Sequence, residues 1–399
     1  MYDILGSTTF YRSVPWEKPY DARVKVLQDA KRAGRKTVGF LYPKFDSSTF
    51  RYRGYNVCES LEYSIEWSGM YFQISDLDSL MKDLDFIDIM VIIRCSWEPK
   101  IEVFINTLHS QGKKVCYDID DLIYHPKYMP LVIDTLGLDR ELEWKFWFDL
   151  TSRNLLIAEM CDAYITTNEY LAGHLKADFN GECYILKNYL NWIQEEVSNE
   201  YFEKKMATSS TGNFEIGYFS GSPTHLKDLL GIMPEIEEFM KRHDDVRMKI
   251  VGYMELPSEY DYLVKEKKIT YVPFQTFVRL QYEQARVDLN VVPLVNNVFS
   301  NCKSELKYFE TAIVGTPTCA TPSFTYKSAI RDRENGYLCE KGQWIQAFEE
   351  VYENRDDKEF MKLIREGALK MYSGIKQVNS IESVFNSIID NINTEGRVE

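Results

Sequence analysis

The chain has 399 residues, 47 Lys+Arg against 61 Asp+Glu and a formal net charge of −14, so it is long enough for two ordinary domains and too acidic to coat nucleic acid. Hydrophobic residues at 45% and charged residues at 27% give the balance of a folded globular protein, which excludes a disordered or fibrous chain. The 8 cysteines are scattered, with no C-x-x-C pair and no zinc spacing, and so point to reduced thiols in a cytosol. The opening MYDILGSTTFYRSVPWEKPYD lacks the apolar core of a secretory leader, and no apolar run approaches the roughly 20 residues of a membrane span. A cytoplasmic protein is expected, with any membrane contact peripheral to the inner face.

Short Val/Ile/Tyr-rich runs alternate with helical-period segments, the pattern of parallel sheets covered by helices on both faces. After an N-terminal extension over 1–36, strands are predicted at Thr37–Tyr42, Met70–Ile74, Ile87–Ile93, Lys114–Ile119, Ala163–Thr166 and Cys183–Leu186. These define a first domain over 37–200. Between its strands, Leu138 to Met160 repeats apolar residues three and four apart and reads as one amphipathic helix, or two in succession, packed on the core. The polar run from Glu195 to Asn213 breaks both periodicities, so a linker is placed at 201–212. Strands resume at Phe214–Phe219, Met248–Gly252, Ile269–Val272, Leu289–Pro293 and Thr318–Ala320, defining a second domain over 213–375. A last helix over 376–399 is free to cross back onto the first domain. The fold class is α/β, with two doubly wound domains.

The most informative stretch runs from Ser300 to Pro317, directly after the strand LNVVPL. A helix starting near Lys303 would offer unpaired N–H groups and its positive dipole end to the crevice above the sheet, with the Lys303 charge beside them. Glu310 follows, suited to accept two ribose hydroxyls. In the first half, Arg51 and Arg53 flank Tyr52 at a strand-to-helix turn, where they read equally as a clamp for an anion or as surface arginines. Asp118, Asp120 and Asp121 end the fourth strand. They suggest either a D-x-D metal site or polar groups beside an acceptor, and Asp121 also reads as an N-cap for a helix from Leu122. His125 and His225 have no metal-ligand spacing and read as structural or solvated.

The stretch from Ser300 to Pro317 resembles the donor-site signature of glycosyltransferase family 4, retaining enzymes of the GT-B fold in which two Rossmann-like domains face each other across a cleft. Glu310 matches the second glutamate of the family's Glu-x7-Glu pattern, which holds the ribose. The first glutamate falls on Cys302, so the carboxylate that grips the donor sugar is missing. Ile216 to Ser222 with Lys227 resembles the first strand and phosphate loop of the donor domain; Val272-Pro273-Phe274 resembles its base-binding loop, and Ile330 to Leu338 its Asn-Gly turn. In the first half, Tyr164 to Leu171 and Lys187-Asn188 match more loosely.

The resemblance implies transfer of a hexosyl group, with retention, from a nucleotide-diphosphate sugar to a hydroxyl of a glycan, a lipid-linked acceptor or a protein, in polysaccharide assembly or glycosylation. It assigns donor binding to Gly221, Ser222, Lys227, Phe274, Ser300, Asn301, Cys302, Lys303, Ser304 and Glu310, and the acceptor side to Arg51 and Arg53. Catalysis is expected from Lys303 and from Asp120 and Asp121, which end the strand where many relatives carry a histidine near the reaction centre. It implies no cofactor beyond the nucleotide sugar as co-substrate, and no metal. Two rivals share the fold: a nucleotide-sugar epimerase, and a non-catalytic subunit that binds a partner transferase.

Overall fold

The computed structural model describes residues 14–137, 140–208, 212–221 and 225–395. Its first sheet contains β1 (Lys36–Tyr42), β2 (Trp67–Gln73), β3 (Ile89–Ile93), β4 (Lys114–Asp118), β5 (Ala163–Thr166) and β6 (Glu182–Ile185), in the order β2-β1-β3-β4-β5-β6. The second contains β7 (Phe214–Ser220), β8 (Val246–Gly252), β9 (Ile269–Val272), β10 (Leu289–Val292), β11 (Thr318–Ala320) and β12 (Tyr337–Leu338), in the order β12-β11-β10-β7-β8-β9. Every pairing is parallel. Strands buried on both faces explain why β3 reads IMVII, without alternation. The two domains are therefore both doubly wound, and β12, two residues long, is the strand that the sequence reading passed over.

Three boundaries differ from the sequence reading. The segment assigned to an extension contains a helix, Tyr20–Arg32, that buries Arg23, Val24, Leu27 and Ala30 against β2, and the Arg23 guanidinium is 2.8 Å from Asp76. The expected linker is largely a helix, Trp192–Ala207, capped by Asn191 and Gln194. Its apolar positions Ile193, Val197, Tyr201 and Phe202 do keep helical spacing, but the Glu and Lys between them mask it. The helix Glu141–Glu159 buries only Thr151, Asn154, Ile157 and Ala158 fully; Leu142, Phe146 and Phe148 stand exposed at 78%, 60% and 56%, so its N-terminal half extends beyond the core it was expected to join.

The last helix, Val378–Glu395, lies on the first domain. Phe385 packs against Phe40 and Trp67, and Asn386 Oδ1 accepts hydrogen bonds from Lys36 Nζ and Trp67 Nε1 at 2.8 and 3.0 Å. It ties the end of the chain to the sheet that the chain formed first.

Candidate active site

In a doubly wound domain, ligands bind beyond the carboxyl ends of the strands, near the point where strand order reverses. Both sheets here point those ends into one cleft of about 490 Å³. The loops after β1, β3 and β4 supply Arg51, Tyr52, Arg94, Asp120 and Asp121; those after β7, β8 and β9 supply Gly221, Tyr253 and Phe274. The segment after β10 adds Lys303, Ser304, Lys307 and Glu310.

On the second-domain wall, β8 exits through Gly252 at φ +120°, a conformation that favours glycine. A Cβ there would lie 1.8 Å from the Ser220 carbonyl oxygen, so only glycine lets the β7 and β8 exits run this close. Gly221 lines the cleft beside them, while Ser222 lies outside the described residues. Farther along, Phe274 stacks on Tyr253 with ring centroids 4.8 Å apart, both rings half exposed at the rim.

The helix expected to start near Lys303 starts instead at Leu306 and runs to Ala312. A separate turn of helix, Val298–Asn301, precedes it, and the Lys303 N–H is used by the Ser300 carbonyl at 3.2 Å. This break turns three expected donor contacts inward. Ser300 is buried, Asn301 Oδ1 accepts from the Phe324 N–H, and Cys302 is buried with its carbonyl accepting from Asn168 Nδ2. None of the three lines the cleft; they hold the turn in place.

Lys303 does reach the cleft, where its Nζ lies 3.1 Å from Asp121 Oδ2 of the first domain. Ser304 beside it accepts from Asn188 Nδ2. Lys307 enters the cleft one helical turn before Glu310 and makes no ion pair among the described residues. Burial, with Lys303 adding like charge, pulls its amine down to about 8 against the opposing attraction of Asp228 and Glu310. Lys227, assigned to phosphate, points elsewhere: its Nζ donates to the Asp134 carbonyl at 2.9 Å, bridging to the first domain outside the cleft. Lys303 and Lys307, and not Lys227, are thus the lysines that line the cleft. The spacing Lys-x-x-Glu, which puts both side chains on one helix face, was the available signal.

Across the cleft, Arg94 follows β3 at φ +46° and pairs with Asp120, with Asp121 at 3.7 Å. Asp121 is held below the usual carboxylate range because Lys303 and Arg94 outweigh the effect of its burial. No helix begins at Leu122, so Asp121 caps none; its Oδ1 accepts the Leu122 N–H within a turn. Asp118 belongs to a different arrangement. Arg53, fully buried, donates to both of its carboxylate oxygens at 2.9 and 2.7 Å and to Asn188 Oδ1 at 3.1 Å, so Arg53 is an interior tie and not an acceptor clamp. Among the described residues no group of three or more His, Cys, Asp or Glu is arranged to hold a metal. His225 lines the cleft with Nδ1 2.9 Å from Asp228, whereas His125 accepts the Lys127 N–H outside it.

Glu310 is buried where the domains meet. Its Oε1 receives Arg51 Nη2 at 3.2 Å, Gln194 Nε2 at 3.4 Å and the Tyr52 hydroxyl. Arg51, expected on the acceptor side, is therefore bound to the residue assigned to the donor.

Residues 215–354 match the protein-family model described as Glycosyl transferases group 1. No curated protein matches the chain in sequence. In fold the chain is similar to Anabaena HepE solved with UDP and glucose, at 12% identity and TM-score 0.55 over 88% of this chain and 100% of that one. Sucrose-phosphate synthase from Thermosynechococcus elongatus superposes at 13% identity and TM-score 0.59 over 90% and 100%. A glycosyltransferase from Rickettsia africae does so at 12% and 0.60 over 90% and 99%. Two facing Rossmann-like domains with these neighbours define the class: the chain has the GT-B glycosyltransferase fold. Within its second half, residues 215–354 carry the narrower similarity, to the glycosyl transferases group 1 model.

Proposed function

We propose that the protein transfers a hexosyl group from a nucleoside-diphosphate sugar to an acceptor hydroxyl, with retention at the anomeric carbon. The observation that carries this reading is that one cleft brings together, from the second domain, the Tyr253 and Phe274 rings for a base, the Glu310 carboxylate for a ribose, and Lys303 and Lys307 with the Gly221 and Gly252 turns for a diphosphate. HepE, whose fold is shared, holds UDP, glucose and UDP-glucose in its crystals.

Bond breaking at the anomeric carbon moves negative charge onto the diphosphate. Two lysines fixed in a partly dehydrated cleft stabilise that charge where it develops, without a metal. On the opposite wall Asp120 and Asp121, oriented by Arg94, face the space left for an acceptor of glycan, lipid-linked or protein type. Free cysteines throughout, and the absence among the described residues of a helix long and apolar enough to cross a membrane, are consistent with work in the cytoplasm.

The test is thermal unfolding with UDP, GDP, ADP and inorganic pyrophosphate. At a hundred times Kd a bound ligand adds about 2.7 kcal/mol of stability. A rise in Tm with at least one nucleoside diphosphate supports the donor site, followed by sugar transfer that persists in chelator. No shift with any nucleotide refutes it.

A further inference from the structure

We infer that Arg51, a residue of the first domain, is part of the nucleotide site of the second, and that with Glu310 it reads the ribose hydroxyls. This rests on the reading that Glu310 holds the ribose.

Two of the three guanidinium nitrogens are accounted for. Nε donates to the Ser47 carbonyl at 2.8 Å, and Nη2 reaches Glu310 Oε1 at 3.2 Å. Its carbon lies 4.1 Å from the Tyr52 ring centroid and 4.8 Å from that of Phe277. Nη1 is buried and has no hydrogen-bond partner. The side chain as a whole is 4% exposed and lines the cleft. A guanidinium held by two hydrogen bonds and two ring contacts has little freedom to turn its last donor elsewhere, and a buried donor without an acceptor is costly unless a ligand supplies one.

The chemistry of the ligand follows from the neighbour. A ribose diol donates two O–H groups to a carboxylate, but each of its oxygens also accepts. The three donors on Glu310 all fall on Oε1, which leaves Oε2 for the diol, and Arg51 is the charged donor beside it. Carboxylate and guanidinium together satisfy a hydroxyl in both of its roles, and neither does so alone. Because one group comes from each domain, the ribose site is complete only when the domains meet as they do here.

The experiment measures Kd by calorimetry for UDP, GDP, their 2′-deoxy analogues and pyrophosphate, in the wild-type protein and in Arg51→Gln, Arg51→Lys and Glu310→Gln. Arg51→Gln should weaken the preferred ribonucleotide about 10- to 100-fold and leave pyrophosphate unchanged. It should also shrink the preference for the ribonucleotide over its 2′-deoxy analogue to within about threefold. Arg51→Lys keeps the charge but not the fork, and should restore only part of the loss. Wild-type ribonucleotide affinity in both Arg51 variants, or equal loss of nucleotide and pyrophosphate, overturns the inference. Should the Arg51 variants fail to fold, the wild-type protein decides: no discrimination against the 2′-deoxy analogue refutes it. Loss of discrimination in Glu310→Gln but not in Arg51→Gln leaves the donor site standing and removes Arg51 alone.

Discussion

Lys307 ties the affinity for a nucleoside diphosphate to pH in a way that can be calculated. Burial lowers its amine from 10.5 to about 8, which at about 1.4 kcal/mol per tenfold change disfavours the charged form by roughly 3 kcal/mol in the empty cleft. A diphosphate requires the charged form. For a lysine with pKa 8 the protonated fraction is about 0.9 at pH 7 and about 0.1 at pH 9, so Kd should be about tenfold weaker at pH 9 than at pH 7. The perturbation is Lys307→Met, which should weaken binding about 10- to 100-fold at pH 7 and abolish the change between pH 7 and 9. Calorimetric titration of UDP and GDP at pH 7, 8 and 9 and constant ionic strength reads both effects. If the wild-type Kd does not change over this range, or if Lys307→Met keeps the same slope, the assignment of Lys307 to the diphosphate is wrong.

Asp121 competes with the donor for Lys303, 3.1 Å away, so Asp121→Asn should tighten pyrophosphate and nucleoside-diphosphate binding about three- to tenfold while lowering turnover; weaker binding would mean that the carboxylate supports the bound donor. Gly252→Ala meets both a φ of +120° and the Ser220 carbonyl, and should cost about 3 kcal/mol or more in denaturant unfolding; a loss under 1 kcal/mol would contradict the tight packing of the β7 and β8 exits. Arg53→Met leaves Asp118 buried without its partner, and should destabilise by about 3–5 kcal/mol; a stable variant with only a raised acceptor KM would return Arg53 to the acceptor site.

The strand pattern was legible in the sequence because buried parallel strands must be short and apolar and must alternate with amphipathic helices. Eleven of the expected segments coincide with β1 to β11. The stretch from Ser300 to Pro317 was legible in part: Lys303, Ser304 and Glu310 line the cleft, whereas Ser300, Asn301 and Cys302 do not. What escaped had weak local signals. The helix Trp192–Ala207 hides four apolar positions among charges, and β12 is too short to show periodicity.

Partnership was decided only by the tertiary structure. Asp121 and Lys303 are 182 residues apart, Arg51 and Glu310 are 259 apart, and no periodicity or spacing encodes which cation meets which carboxylate. Two arginines two positions apart have the same reading in sequence, yet the helical turn carrying them sends Arg53 inward to Asp118 and Arg51 across to the other domain. Lys227, expected at phosphate, is likewise turned to Asp134 by the packing of its own segment. Charge and spacing state what a side chain is able to bind, whereas the direction in which its backbone points it, set by packing of distant segments, decides what it does bind.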